Sequence, residues 1–163
     1  RDRLRGPQPV KIRAMAHTSG SDKRRFEELP DIGERLAKVV YEKAGLGPED
    51  IVIAEVHDAT AYGELHQTVA LGFTPEGTGG EFIDSGKSAL DGQLPVNTSG
   101  GLLSRGHPVG ASGLAQIFEL VTQMRGEAGE RQVPREVRIA LAENGGGILT
   151  LEEASMTISM LEK

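Results

Sequence analysis

The residues best suited to chemistry in this chain are His57, His107 and Glu143, and each stands where an apolar run breaks. His107 lies in NTSGGLLSRGHPVGASGLAQ, residues 97–116, a turn with five glycines that opens onto an apolar helix. Glycine lets backbone approach backbone or a ligand where a Cβ would clash. The imidazole is then the one side chain in the turn able to move protons near neutral pH. His57 and Asp58 end the run Ile51–Val56, and Glu143 opens a second glycine run, ENGGG, at residues 143–147. An imidazole and a carboxylate can move protons near neutral pH, and the question the sequence poses is whether His107, Glu143 and the His57-Asp58 pair form one site. Plainer readings stand beside this one. His107 could be a structural histidine of the turn, His57 a strand end bonded to Asp58, and Asp58 an orienting group or the N-cap of the next helix. His17 and His66 belong to no motif, and the four histidines lack metal-ligand spacing, so no metal is expected. No dinucleotide or Walker fingerprint follows a strand.

These residues need elements to position them. Val10–Ala16 alternates apolar and charged residues and reads as a strand, followed by a polar loop at residues 19–25. Pro30-Asp31 opens an amphipathic helix to about Lys43, with Ile32, Leu36, Val39, Val40 and Ala44 on one face. Gly45, Gly47 and Pro48 end it. Ile51–Val56 suits a buried strand and residues 59–72 a helix, which places His57 and Asp58 at a strand's carboxyl end. Ligands of open α/β sheets bind there. Residues 74–93 read as loop, and a helix from about Ala111 to Met124 carries Leu114, Ile117, Phe118, Val121 and Met124 as one stripe. Arg135–Ala142 reads as a strand, ENGGG as a tight turn, Ile148–Ala154 as the returning strand and Met156–Leu161 as a last one. The order predicts an α/β domain whose mixed sheet is packed with helices.

Bulk properties narrow the function. At 163 residues the chain forms one domain with a real core. Its net charge is −6, with basic clusters only at residues 1–5 and 23–25, which disfavours nucleic-acid binding. The absence of cysteine excludes disulfides, thiolate metal sites and a cysteine nucleophile within these residues. No apolar run is long enough to span a bilayer and no signal-peptide pattern opens the chain, so a cytoplasmic location is expected. An arginine at position 1 points to a fragment or a processed product.

The motifs together resemble the thiolase superfamily. The turn around His107 resembles the family's glycine-rich GHP motif. EVHDAT at residues 55–60 resembles its Asn-Glu-Ala-Phe motif, in the His-Asp-Cys-Phe form of thiolases related to sterol carrier protein. ENGGG falls where the family places Cys-x-Gly, or His-Asn-x-Gly in that branch. All three occur in the family's order, over roughly Pro9 to Leu151, which corresponds to the carboxyl-terminal half of a thiolase. The resemblance therefore implies a thiolase-like half over residues 1–163, lacking the amino-terminal half that bears the nucleophilic cysteine.

The same resemblance implies a role for each candidate residue. His107 would activate the nucleophilic cysteine and donate to the thioester oxygen, and His57 would occupy the position that holds a water in the same oxyanion hole. Gly145 would supply a backbone N–H to the second oxyanion hole. Glu143 stands where thiolases carry the cysteine that shuttles the α-proton. Coenzyme A would enter as the substrate thioester, with no other cofactor. The resemblance also implies a homo-oligomer and, in some members, pairing with a small acyl-CoA-binding subunit. Two departures open other readings: Glu143 replaces the second cysteine, and Thr60 replaces the phenylalanine of the other motif. A carboxylate can act as a base when burial raises its pKa. The same change suits a thiolase-like lyase that cleaves a 3-hydroxyacyl-CoA by a retro-aldol route, with Tyr62 as an extra proton donor. A non-catalytic domain for acyl-CoA binding or assembly is the third reading.

Overall fold

The computed structural model describes residues 8–21, 29–149 and 152–163; the basic clusters and most of the polar loop after the first strand lie outside them. Strand β1 covers Lys11–Ser19, helix α1 Ile32–Ala44, β2 Ile53–Glu55, α2 Ala61–Ala70 and α3 Gly79–Asp84. Helix α4 covers Gly101–Arg105, α5 Ser112–Arg125, β3 Ile139–Leu149 and β4 Glu152–Glu162. The sheet order is β1-β4-β3-β2, with β2 parallel to β3 and the other pairs antiparallel. A parallel bridge from Ala54 to Val96 extends the sheet beyond β2 and sets the start of the glycine turn beside it. This is a mixed sheet packed with helices. Among the described residues no helix is long and apolar enough to cross a membrane.

Two clusters fill the two faces of the sheet. On one, Ile32, Leu36 and Val40 of α1 pack on Leu141, Met156, Ile158 and Met160. On the other, Leu120 and Met124 of α5 pack on Ile53, Ala140, Ala142 and Leu161. Helix α1 begins at Asp31, whose carboxylate accepts the Gly33 N–H at 2.7 Å, and it ends in a left-handed Gly45. The N-cap satisfies one of the N–H groups that every helix start leaves without a partner.

The structure corrects several expectations. ENGGG is not a turn: residues 143–147 continue β3, with Gly145 opposite Met156 and Gly146 opposite Ser155. A Cβ on Gly145 would come within 2.9 Å of Glu153 Cγ, so small residues let the strand run beneath its partner's side chains. The two expected final strands are the single β4, and β3 starts at Ile139 rather than Arg135. Residues 74–93 are not all loop, since they include α3. Val39, placed on the inner face of α1, is 39% exposed. The stripe expected to bury α5 holds in part: Met124 is buried and Ile117 and Val121 pack against the core, but Leu114 is 74% exposed and Phe118 71%. The buried face is completed by Ser112, Gln116, Glu119, Leu120 and Gln123. Buried amides and hydroxyls are stable there because each finds partners.

Candidate functional site

The end of β2 holds the glycine turn through buried acids. Glu55 accepts the Ser99 N–H at 3.0 Å and its hydroxyl at 2.6 Å, while Asp58 accepts the Leu102 N–H at 2.6 Å. Asn97, left-handed at φ 54, accepts the Val56 N–H at 2.8 Å and donates to Glu64 at 3.3 Å. Gly101, at φ +60, lies so close to the Asp58 carboxylate that any Cβ would collide with it. Helix α2 is capped by Thr60, which accepts the Gly63 N–H. Asp58 therefore caps not the helix that follows it but α4, from a distant strand. Burial pushes Glu55 up to about 7 against the opposing pull of its two Ser99 bonds, with Glu119 adding to the rise. Arg105, whose guanidinium reaches Glu55 at 3.9 Å, lowers it.

The turn so held brings His107 to His57. Their rings meet edge to face, with centroids 4.9 Å apart. His57 is held below the usual histidine range by burial and by its neighbour His107, which favours the neutral ring. The His107 Nδ1 lies 2.7 Å from Ser112 Oγ, and that hydroxyl donates to the Pro108 carbonyl at 3.3 Å. A hydroxyl has one proton, so the bond to His107 runs from Nδ1–H to Oγ when that proton is on Pro108 and from Oγ–H to Nδ1 when it is not.

Glu143 joins this pair through the main chain. Its Oε2 accepts the His57 backbone N–H at 2.9 Å. Successive side chains of a strand leave opposite faces. Asn144 lies on the α5 side, donating to Gln116 at 3.0 Å, whereas Glu143 lies on the side of α1 and α2. Burial pushes Glu143 up to about 8; the His57 N–H opposes this, and the Glu153 and Asp31 carboxylates reinforce it. Its Oε1 is buried with no hydrogen-bond partner among the described residues.

The other expected residues fall elsewhere. Tyr62 is 69% exposed and stacks on His66 at 5.6 Å, lining a cleft of about 850 Å³ with Asp31 and His66, to which neither His57 nor His107 contributes. Gly145 is a buried ladder position of β3. Sequence reasoning missed Gln116, Asn144, Ser112 and Glu55. Their signal was polar residues at positions facing the core, a pattern that predicts either instability or a satisfied network.

Residues 15–159 match the family described as thiolase C-terminal domain-like. This chain belongs to the thiolase family. It is 47% identical over 125 residues to sterol carrier protein 2 of Rattus norvegicus, an overlap of 74% of this chain and 23% of that protein. It is 41% identical over 143 residues to the acetyl-CoA acetyltransferase of Methanothermobacter thermautotrophicus, covering 85% of this chain and 37% of that protein. The solved structure of the Ltp2-ChsH2(DUF35) aldolase superposes with a TM-score of 0.80 at 27% identity, over 96% of this thiolase domain and 40% of that chain. The domain thus spans less than half the length of each of these three proteins.

Proposed function

We propose that this thiolase domain is the carboxyl-terminal half of an acyltransferase acting on acyl-CoA thioesters, with the nucleophilic cysteine supplied by sequence outside these 163 residues. The observation that carries the reading is the His57–His107 pair at 4.9 Å, held at a strand end by the clamped glycine turn. In this reading His107 Nε2 takes the thiol proton as sulfur attacks the thioester carbonyl. The protonated ring then donates to a thioester oxygen, beside a group presented by His57. Gly145 is proposed as the backbone donor near the nucleophile. Glu143, tied to His57's main chain, is proposed to steady that histidine, with the α-proton shuttle as the competing role for the same carboxyl. Coenzyme A is the substrate carrier and no further cofactor is invoked.

The surface beside the site supports a missing half. Val109 in the turn is 82% exposed, Leu103 56%, Leu114 74% and Phe118 71%. Large apolar side chains left exposed over one stretch of sequence are consistent with a surface that another protein covers. Assembly into a homo-oligomer and pairing with a small acyl-CoA-binding subunit belong to the same proposal.

Substituting His107 by Ala in the complete protein tests it. Loss of acyl-CoA turnover by about 100-fold or more is expected for removal of a base and oxyanion donor. Unchanged turnover would leave only the non-catalytic, acyl-CoA-binding or assembly role. The retro-aldol lyase is the second reading, favoured by Glu143 in the place of the second cysteine and by the likeness to a protein named an aldolase. Product analysis separates the two: thiolysis of a 3-ketoacyl-CoA consumes free coenzyme A and gives two acyl-CoA products, whereas retro-aldol cleavage of a 3-hydroxyacyl-CoA gives one shortened acyl-CoA and a free carbonyl compound.

A further inference from the structure

Between α5 and β3 runs a chain of two side-chain amides whose direction is set by one fixed end. The Glu143 carbonyl oxygen can only accept, so the Gln116 group 2.8 Å from it is the NH2. Gln116 therefore turns its Oε1 toward Asn144. That oxygen also can only accept, so the Asn144 group 3.0 Å away is Nδ2. The same Nδ2 lies 3.1 Å from His57 Nδ1. An amide NH2 only donates, so Nδ1 offers its lone pair and the proton of the neutral ring resides on Nε2. The amides have little freedom to reverse: Gln116 is fully buried, and turning either amide over would set oxygen against oxygen or NH2 against NH2.

We infer that Gln116 and Asn144 are positioning residues that lock His57 as its Nε2–H tautomer, with the Glu143 carbonyl setting the direction of the relay. Burial and His107 keep the ring neutral, so tautomer choice decides what Nε2 can do. With this relay Nε2 is a hydrogen-bond donor, whereas the proposed base role asks His107 for a bare Nε2. One site then holds a donor and a base built from the same residue type. The inference rests on the proposed chemistry for its consequence, but the tautomer itself is measurable without turnover.

The test is nitrogen-15 NMR of the histidine rings in the complete protein, with the His57 signals assigned by their loss in His57→Gln. Wild type is expected to show a bare Nδ1 and a protonated Nε2. In Asn144→Asp an acceptor faces Nδ1, and the expected result is reversal to Nδ1–H with a raised His57 titration midpoint. In Gln116→Met, which keeps the bulk but not the direction, a mixture of tautomers is expected. kcat should fall by about tenfold to 100-fold with KM little changed, the pattern for weakening a donor that acts in the transition state. A wild-type His57 protonated on Nδ1, or a tautomer unmoved in both variants, would overturn the inference. A correct tautomer in a protein that turns over no acyl-CoA would instead count against the proposed function and leave the relay standing.

Discussion

Asp58 at the end of β2 accepts the main-chain N–H of Leu102, 44 residues later, at 2.6 Å. This bond ties the strand carrying His57 to the turn carrying His107, so the distance between the rings depends on it. Asp58→Ala would leave a buried N–H without an acceptor, at a cost of about 1–3 kcal/mol. For a chain of this size that lowers Tm by roughly 2–4 °C per kcal/mol. Gly101→Ala should be at least as severe, because a side chain at φ +60 is strained and its Cβ meets the same carboxylate. Thermal unfolding checks both; an Asp58→Ala variant within about 0.5 kcal/mol of wild type would disprove the clamp.

The buried acids make stability depend on pH in an unusual direction. Glu143 and Glu55 rise from an ordinary 4.5 to about 8 and about 7. Between those limits the folded chain holds protons that the unfolded chain has released, so stability falls as pH rises. His66, raised chiefly by its hydrogen bond to Asp31, acts in the same direction, and the lowered His57 opposes it. Chemical denaturation is expected to give a less stable protein at about pH 8.5 than at about pH 5.5, with the slope reduced in Glu143→Gln. A stability that climbs steadily over that range would contradict the burial argument.

How much of this was visible in the residues alone differs by element. The site was legible because His57 ends an apolar strand and His107 sits in a glycine turn before a helix, both local signals. Helix α5 was located correctly, and Ile117, Val121 and Met124 of its expected stripe pack inward, but its buried face is rotated away from Leu114 and Phe118. Apolar periodicity assumes that apolar residues face inward, yet Leu114 and Phe118 face outward while Gln116, Glu119 and Gln123 are buried. Those polar groups are satisfied by tertiary partners such as the Glu143 carbonyl and the Val133 N–H, and no local pattern encodes these. Glycine runs normally punctuate, but in β3 they make room for Glu153 instead. Helix α3 opens on Gly79 and Gly80, poor helix formers, and so gave no helical signal.

The outward face of α5 yields a prediction about assembly. Leu114 and Phe118 are one turn apart and both largely exposed, so changing both to Glu should alter the chain's own stability by no more than about 0.5 kcal/mol. If the proposed nucleophile-bearing half docks on this face, the same double variant should abolish the association, because charges would be buried without partners. Size-exclusion chromatography of the two halves mixed together reads this out. Co-elution as in wild type would show that the face is not the interface.

Glu143 poses the sharpest question, because one carboxyl has two proposed roles that mutation separates. As the proton shuttle it must ionise, so Glu143→Gln should lose about 10²–10⁴-fold in kcat and wild-type activity should rise with pH toward about 8. As a brace it need only accept the His57 N–H, which a glutamine oxygen also does at the observed 2.9 Å. The geometry favours the brace, since Glu143 and Asn144 leave β3 on opposite faces and it is Asn144 that meets the His57 ring. Glu143→Gln is therefore expected to keep kcat within about tenfold of wild type. Glu143→Ala, which strands the His57 N–H, should lose considerably more by displacing the ring. Steady-state rates of both variants across pH decide the matter: a glutamine variant as inactive as the alanine one would return the shuttle role to this residue.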